Sequence, residues 1–291
     1  RTLSWRTVVV QSRAKLSYKN GCMIIRTDDV RLIHLSEINT LIVDSMQVSI
    51  NSFLLCELIK KKIKVVFCDE KRNPISELIG YYGCHNSSKK LMQQIKWDIN
   101  YSRLIWTKII KQKILNQALM LKKYGFCTEE KLVTYADELE YFDNTNREGH
   151  AAKVYFNSLF GKDFSRDDVN DINAALNYGY SILLSNFNRE LVAIGYSTEL
   201  GIKHTNEYNS FNLSCDFMEP FRVIVDEIVY NNIGIPFDNE YKLKLVNLLN
   251  KRVDYGGKEF YLTNVIQKYV RKVTETIEKL TMAELVLYEF K

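Results

Sequence analysis

The feature that most constrains the fold of this 291-residue chain is a single change in apolar spacing near Lys89. Before it, apolar residues alternate or run in short β-branched blocks; after it they recur at helical intervals nearly to the end. Thr7-Val8-Val9-Val10 is a short strand. Lys15 to Thr27 is a hairpin, with Asn20-Gly21 supplying the positive-φ pair that a tight turn needs. Val30 to His34, Thr40 to Val43 and Lys64 to Cys68 are further strands. One helix interrupts them at Asn51 to Lys62, where Phe53, Leu54, Leu55, Leu58 and Ile59 recur at helical spacing. Asp69 to Pro74 is a turn. The expected architecture is α+β: a β-rich domain over 1–83, a linker at 84–88 and a mostly α-helical domain over 89–291.

Within the helical part, Ile95 to Leu121 reads as one long basic amphipathic helix carrying Lys96, Arg103, Lys108, Lys111 and Lys113. Tyr101, Trp106 and Tyr124 interleave with these charges, a pattern suited equally to a solvated face and to a surface where rings stack on bases. An apolar helix starts at Asp171. Tyr255-Gly256-Gly257-Lys258 marks a short hairpin.

Charge is unevenly placed. Residues 1–127 hold 22 Lys and Arg against 9 Asp and Glu, and residues 128–291 hold 18 against 26. A basic front and an acidic rear suit an anionic partner on one side and cation binding on the other. No apolar run reaches the length of a membrane span. Arg1, Ser4, Arg6, Gln11 and Arg13 break up any secretory signal core, so the expectation is a cytoplasmic protein with reduced thiols. The six cysteines lack metal-finger spacing, and Cys56 and Cys68 read as small core residues.

Three polar stations punctuate the second half: Asn146-Arg147-Glu148-Gly149-His150-Ala151-Ala152, Gly201-Ile202-Lys203-His204, and Asp216-Phe217-Met218-Glu219-Pro220-Phe221-Arg222. Each has an ordinary explanation. Glu148 follows Asn144-Thr145-Asn146, a helix-start signal, and a first-turn glutamate is favoured by the helix dipole alone. His204 lies in a polar loop. Asp216 and Glu219 are three apart, and Pro220 fits a first helical turn, so both carboxylates are expected at or just before a helix start. Converging, Glu148, His204 and Glu219 would make an open divalent-metal site; on residue chemistry alone the reading stops at a metal or phosphate site.

Taken in order and at these separations, the stations resemble the signature of the CRISPR spacer-acquisition integrase family, the larger of the two Cas proteins of the adaptation module. The resemblance covers most of the chain. Glu219, together with the Tyr255-Gly256-Gly257-Lys258 segment, makes it most similar to the branch found with type II-A loci. The resemblance implies a metal-dependent DNA endonuclease and integrase in which Glu148, His204 and Glu219 bind catalytic Mg²⁺ or Mn²⁺. Asp216 assists through a water or from behind the ligands, and His150 takes no ligand role. Arg147, Lys203 and Arg222 flank the site as phosphate contacts, and Lys96, Arg103, Lys108 and Lys111 grip duplex DNA. It also implies a homodimer formed through the β domain, bridged to another by a small adaptation partner protein. The competing readings are a stand-alone structure-selective nuclease and a non-catalytic DNA-binding scaffold.

Overall fold

In a computed structural model of the chain, residues 6–70, 72–80, 86–283 and 285–291 are described. Lys71 of the expected turn and residues 84–85 of the expected linker lie outside them. The chain divides into two compact units, 1–83 with 249–251, and 84–248 with 252–291.

Among its described residues the first unit holds eight strands and one α-helix: β1 (Arg6–Val10), β2 (Ala14–Lys19), β3 (Cys22–Arg26), β4 (Val30–His34), β5 (Ile38–Val43), β6 (Val48–Ile50), α1 (Ser52–Lys60), β7 (Lys64–Cys68) and β8 (Pro74–Glu77). They form two four-stranded sheets, ordered β1-β5-β7-β8 and β4-β3-β2-β6. β5 runs parallel to both neighbours and every one of its residues is buried, as expected of a strand covered on both faces. The β2–β3 turn places Asn20 and Gly21 at φ 50° and 80°, which lets the two strands reverse within two residues. Asn51 caps α1, its side-chain oxygen accepting from Leu54 N–H at 2.9 Å. β6 and β8 escaped the sequence reading because each is too short to show alternation, and β8 begins at Pro74, where a turn was expected. Cys68 is buried as expected, but Cys56 lies on the exposed face of α1.

The second unit contains α2 (Ser87–Ile95), α3 (Ile99–Lys123), α4 (Glu129–Asp137), α5 (Arg147–Phe160), α6 (Asp171–Ala193), α7 (Asn212–Met218), α8 (Arg222–Tyr230), α9 (Asn239–Val246), the hairpin β9 (Arg252–Tyr255) and β10 (Lys258–Tyr261), and α10 (Leu262–Lys279). Helix is therefore already present at Ser87, inside the expected linker. The single basic helix is also divided: α2 ends at Ile95, and Asp98 starts α3 by accepting from Tyr101 N–H at 2.6 Å.

α3 is the central strut, packed by α4, α5, α7, α8 and α10. Ser102, Trp106, Ile110, Asn116 and Met120 are all buried, so it lacks the wide solvated face of an amphipathic surface helix. α6 crosses close to α8 because Gly179 has no Cβ; one there would collide with Val225. At the C-terminal end, Tyr288 stacks on Phe221 with ring centroids 4.5 Å apart. Asn116, wholly buried, donates to the carbonyls of Pro220 (2.8 Å) and Tyr288 (2.9 Å) and accepts from Phe290 N–H (3.0 Å).

Candidate active site

Glu148 lies in the first turn of α5. The expected Asn or Thr cap is not the one used: Asn146 is left-handed with no side-chain cap bond. Asp143 substitutes, its carboxylate accepting from the N–H groups of Arg147 (2.6 Å) and Glu148 (3.2 Å). An acidic cap at a helix N-terminus satisfies two orphan donors and complements the dipole.

Glu219 starts a 3-10 turn, Glu219–Phe221, inserted between α7 and α8 with Pro220 at its head. Proline breaks the helical ladder there at little cost, since the turn's first N–H groups would be unpaired in any case. Asp216 is therefore within α7 rather than before a helix, and it caps nothing on its own element. Its fully buried carboxylate instead gathers the preceding loop, accepting from the N–H groups of Ile202 (2.5 Å), Lys203 (3.1 Å) and His204 (3.3 Å) and from His204 Nδ1 (2.7 Å). That last bond fixes the Nδ1–H tautomer and leaves Nε2 as the nitrogen open to a ligand, an arrangement typical of carboxylate-oriented histidines. The bond to Asp216 raises the His204 pKa above its ordinary value, while partial burial opposes it.

The two glutamates, 71 positions apart in sequence, meet at one point. Lys113 Nζ of α3 lies 2.6 Å from Glu148 Oε1 and 2.6 Å from Glu219 Oε2. Arg222 Nε lies 3.0 Å from Glu219 Oε2, and its guanidinium stacks 4.7 Å from the Tyr180 ring centroid. Burial pushes the Glu219 pKa up, but Arg222 and Lys113 outweigh it and bring the carboxyl down to about 2. Burial lowers the Lys113 pKa in turn, and the two glutamates more than restore it, so the ammonium stays charged. These groups line a cleft of about 270 Å³ with Gln117, Arg166, Tyr180 and Asp226.

Of the sequence-derived candidates, Glu148, Glu219 and Arg222 share this cleft. His204 is not in its lining, though its ring feels the charges of Glu219 and Arg222. Arg147 pairs with Glu138 at 3.0 Å, and Lys203 lies over the rings of Phe142 and Trp106 at 4.2 and 5.0 Å. Arg103 stacks on Phe142 at 4.6 Å, and Lys111 pairs with Asp137 at 3.0 Å. Lys96 and Lys108 are exposed. Trp106 is wholly buried, so its ring is not available to stack on a base.

Among the described residues, no three His, Cys, Asp or Glu side chains stand close enough to hold a metal ion, Lys113 being the cation that the two glutamates share. In kind, the donors fit a hard divalent ion. Two carboxylates already converge on one positive charge, and the His204 ring is oriented by a buried carboxylate.

The sequence shows Lys113 only as one charge along a basic helix, and it gives Asp226 no role. The 219, 222, 226 spacing is a usable signal, because three charged side chains on one face of an apolar helical run demand a polar cleft. Asp226 accepts from the hydroxyls of Tyr155 (2.9 Å) and Tyr180, and burial raises its pKa to about 6 despite those donors. The folded pKa exceeds the ordinary carboxyl value, so the folded state takes up this proton first. Stability attributable to Asp226 should rise as pH falls through 6 toward 4, and be absent above 6. Asp226→Asn should flatten that rise, by up to about 3 kcal/mol. Urea unfolding of both proteins at pH 7 and 5 checks this; equal pH dependence would show that Asp226 is ionised throughout.

Comparison with known proteins places residues 7–235 on the family described as CRISPR associated protein Cas1. A CRISPR-associated endonuclease Cas1 from Neisseria meningitidis serogroup C (strain 8013) is 34% identical over 275 residues, covering 92% of this chain and 90% of that one. Among solved structures, a chain of a Cas6-RT-Cas1–Cas2 complex superposes with a TM-score of 0.75 at 18% identity, over 98% of this chain and 36% of the other. A casposase bound to integration product gives 0.72 at 20% identity, over 95% and 91%. At such identities the two superpositions establish the fold. No helix among the described residues is long and apolar enough to cross a membrane.

Proposed function

The chain belongs to the Cas1 family of CRISPR-associated proteins, and on that premise we propose that it is a metal-dependent DNA endonuclease and integrase of CRISPR adaptation. The observation that carries this reading is the meeting of Glu148 and Glu219 on one cation, beside Arg222, in a cleft of about 270 Å³. Two carboxylates and two cations around a small polar cleft suit phosphoryl transfer better than acyl or hydride chemistry.

Glu148, Glu219 and Nε2 of His204 would hold Mg²⁺ or Mn²⁺. Bound there, the ion lowers the pKa of an attacking hydroxyl and offsets charge on the phosphoryl oxygens. Asp216 keeps the proton on His204 Nδ1 and holds the ring in place. Arg222, tethered by Glu219 and Tyr180, presents its remaining donors to a phosphate. In the reaction, a 3′-oxygen of a short DNA fragment forms a bond to phosphorus at the CRISPR repeat boundary. The bond to the repeat's own 3′-oxygen breaks, and that oxygen takes up a proton. With water in place of the hydroxyl, the same site hydrolyses. A homodimer and a small Cas2-like partner would complete the assembly, the partner being in keeping with the Cas6-RT-Cas1–Cas2 complex in which a structural neighbour occurs.

The test is strand transfer with a labelled short duplex bearing free 3′-hydroxyls, a repeat-containing plasmid, Mn²⁺ or Mg²⁺ and the small partner. Joined product that disappears with EDTA is the expected result. Cleavage without joining would favour a stand-alone nuclease, and neither activity would favour a DNA-binding scaffold.

A second expectation concerns the duplex path. Lys108 is exposed, and Lys111 pairs with Asp137 at 3.0 Å in a setting open to solvent, where such pairs contribute little. Lys108→Glu with Lys111→Glu should weaken duplex binding and lower the salt slope by roughly two. Stability should stay within about 0.5 kcal/mol, since neither side chain is buried. Binding isotherms at three salt concentrations check this, and an unchanged slope would remove the pair from the DNA path.

A further inference from the structure

We propose that Lys113 is a built-in counter-ion which a divalent cation must displace from Glu148 and Glu219, and which a substrate phosphate then receives, so that metal and DNA bind cooperatively. The inference rests on reading those two glutamates as the cation ligands.

The cleft is already electrically balanced. Glu148 and Glu219 supply two negative charges, Lys113 and Arg222 supply two positive ones in direct contact with them, and Arg166 and Asp226 of the same lining add one basic and one acidic group. Only 12% of the Lys113 side chain and 3% of the Glu219 side chain are exposed, so water screens these charges poorly. A divalent ion entering this balanced cleft faces an ammonium on the very oxygens it needs. It also leaves the Lys113 ammonium without acceptors and makes Arg222 share Glu219 with the ion. Phosphodiester oxygens relieve both problems, since they bring negative charge and offer the ammonium another set of acceptors. Lys113 is suited to such a transfer because its charge sits at the end of a flexible four-carbon stem. Arg222 is not, because Glu219 holds its Nε and Tyr180 stacks against its plane.

The linkage is reciprocal. If DNA tightens the ion, the ion tightens DNA by the same factor. A lysine with a merely structural role would leave both affinities where they were and lower stability alone.

The test is Mn²⁺ binding to the full chain, followed by the electron paramagnetic resonance signal of free Mn²⁺, with and without a short duplex whose 3′ ends are blocked. In the unsubstituted protein, DNA should tighten Mn²⁺ by on the order of tenfold. Lys113→Met should bring a similar gain without DNA and lose most of the response to it. Lys113→Arg keeps the charge and should bind Mn²⁺ weakly until DNA is added, which separates loss of charge from loss of folding. Equal Mn²⁺ affinity with and without DNA, unchanged by Lys113→Met, would overturn the inference while leaving the metal site standing. Mn²⁺ binding that is absent in every arm, or indifferent to Glu148→Gln, would overturn the metal site and the inference with it.

Discussion

Glu148→Ala is expected to abolish joining, by on the order of a thousandfold or more, while the protein stays folded and still binds duplex DNA. The separation follows from where the side chain sits. Glu148 is partly exposed at the mouth of the cleft, and its backbone N–H is held by Asp143 independently of its own carboxylate. Its removal does not strand Lys113, which keeps Glu219 at 2.6 Å. The stability cost is then the lost first-turn charge and half of a shared ion pair, about 1 kcal/mol. Glu148→Gln retains the shape and removes the charge, and should fail in joining just as completely. Circular dichroism and duplex binding establish that the fold and DNA path are intact; strand transfer is then read on the same samples. Joining at the unsubstituted rate in either variant would remove Glu148 from the site.

Much of this was legible in the sequence, for reasons that can be stated residue by residue. The Asn20-Gly21 hairpin and the Gly256-Gly257 hairpin carry local conformational demands that few other residues meet, so they could be read without tertiary information. α6 could be read because its apolar repeat is long. What escaped depends on partners distant in sequence. Asp143 outranks Asn146 as the cap of α5 because the chain turns left-handed at 142, 143 and 146; Asp and Asn favour that region, but nothing local sends Phe142 there. Asp216 looks like a cap and instead binds a loop 12 to 14 residues earlier. The basic stretch read as one surface helix, since lysines spaced along an apolar run look the same whether they reach water or, like Lys113, two carboxylates from elsewhere. Glu148, His204 and Glu219 stand out as polar stations, and the resemblance is what assigns them together as ligands. The charge that joins the two glutamates had no local signature.

A second large effect is expected from a residue far from any chemistry. Asn116→Ala should destabilise the helical unit by about 3–5 kcal/mol, because one wholly buried side chain serves three backbone groups. Alanine leaves the carbonyls of Pro220 and Tyr288 and the N–H of Phe290 without that partner, each in a buried setting where water cannot replace it. The loss should also reach the site, since Pro220 immediately follows Glu219 and Tyr288 stacks on Phe221 of the same turn. Thermal unfolding should show a fall of about 10 °C or more. Removing residues 285–291 deletes two of the three partners by another route, so the two changes should be strongly less than additive when combined. Additive losses would mean that Asn116 and the terminal segment stabilise the protein independently. The turn bearing Glu219 would then be held to α3 by the Lys113–Glu219 ion pair and by packing around Phe221, independently of the terminal segment.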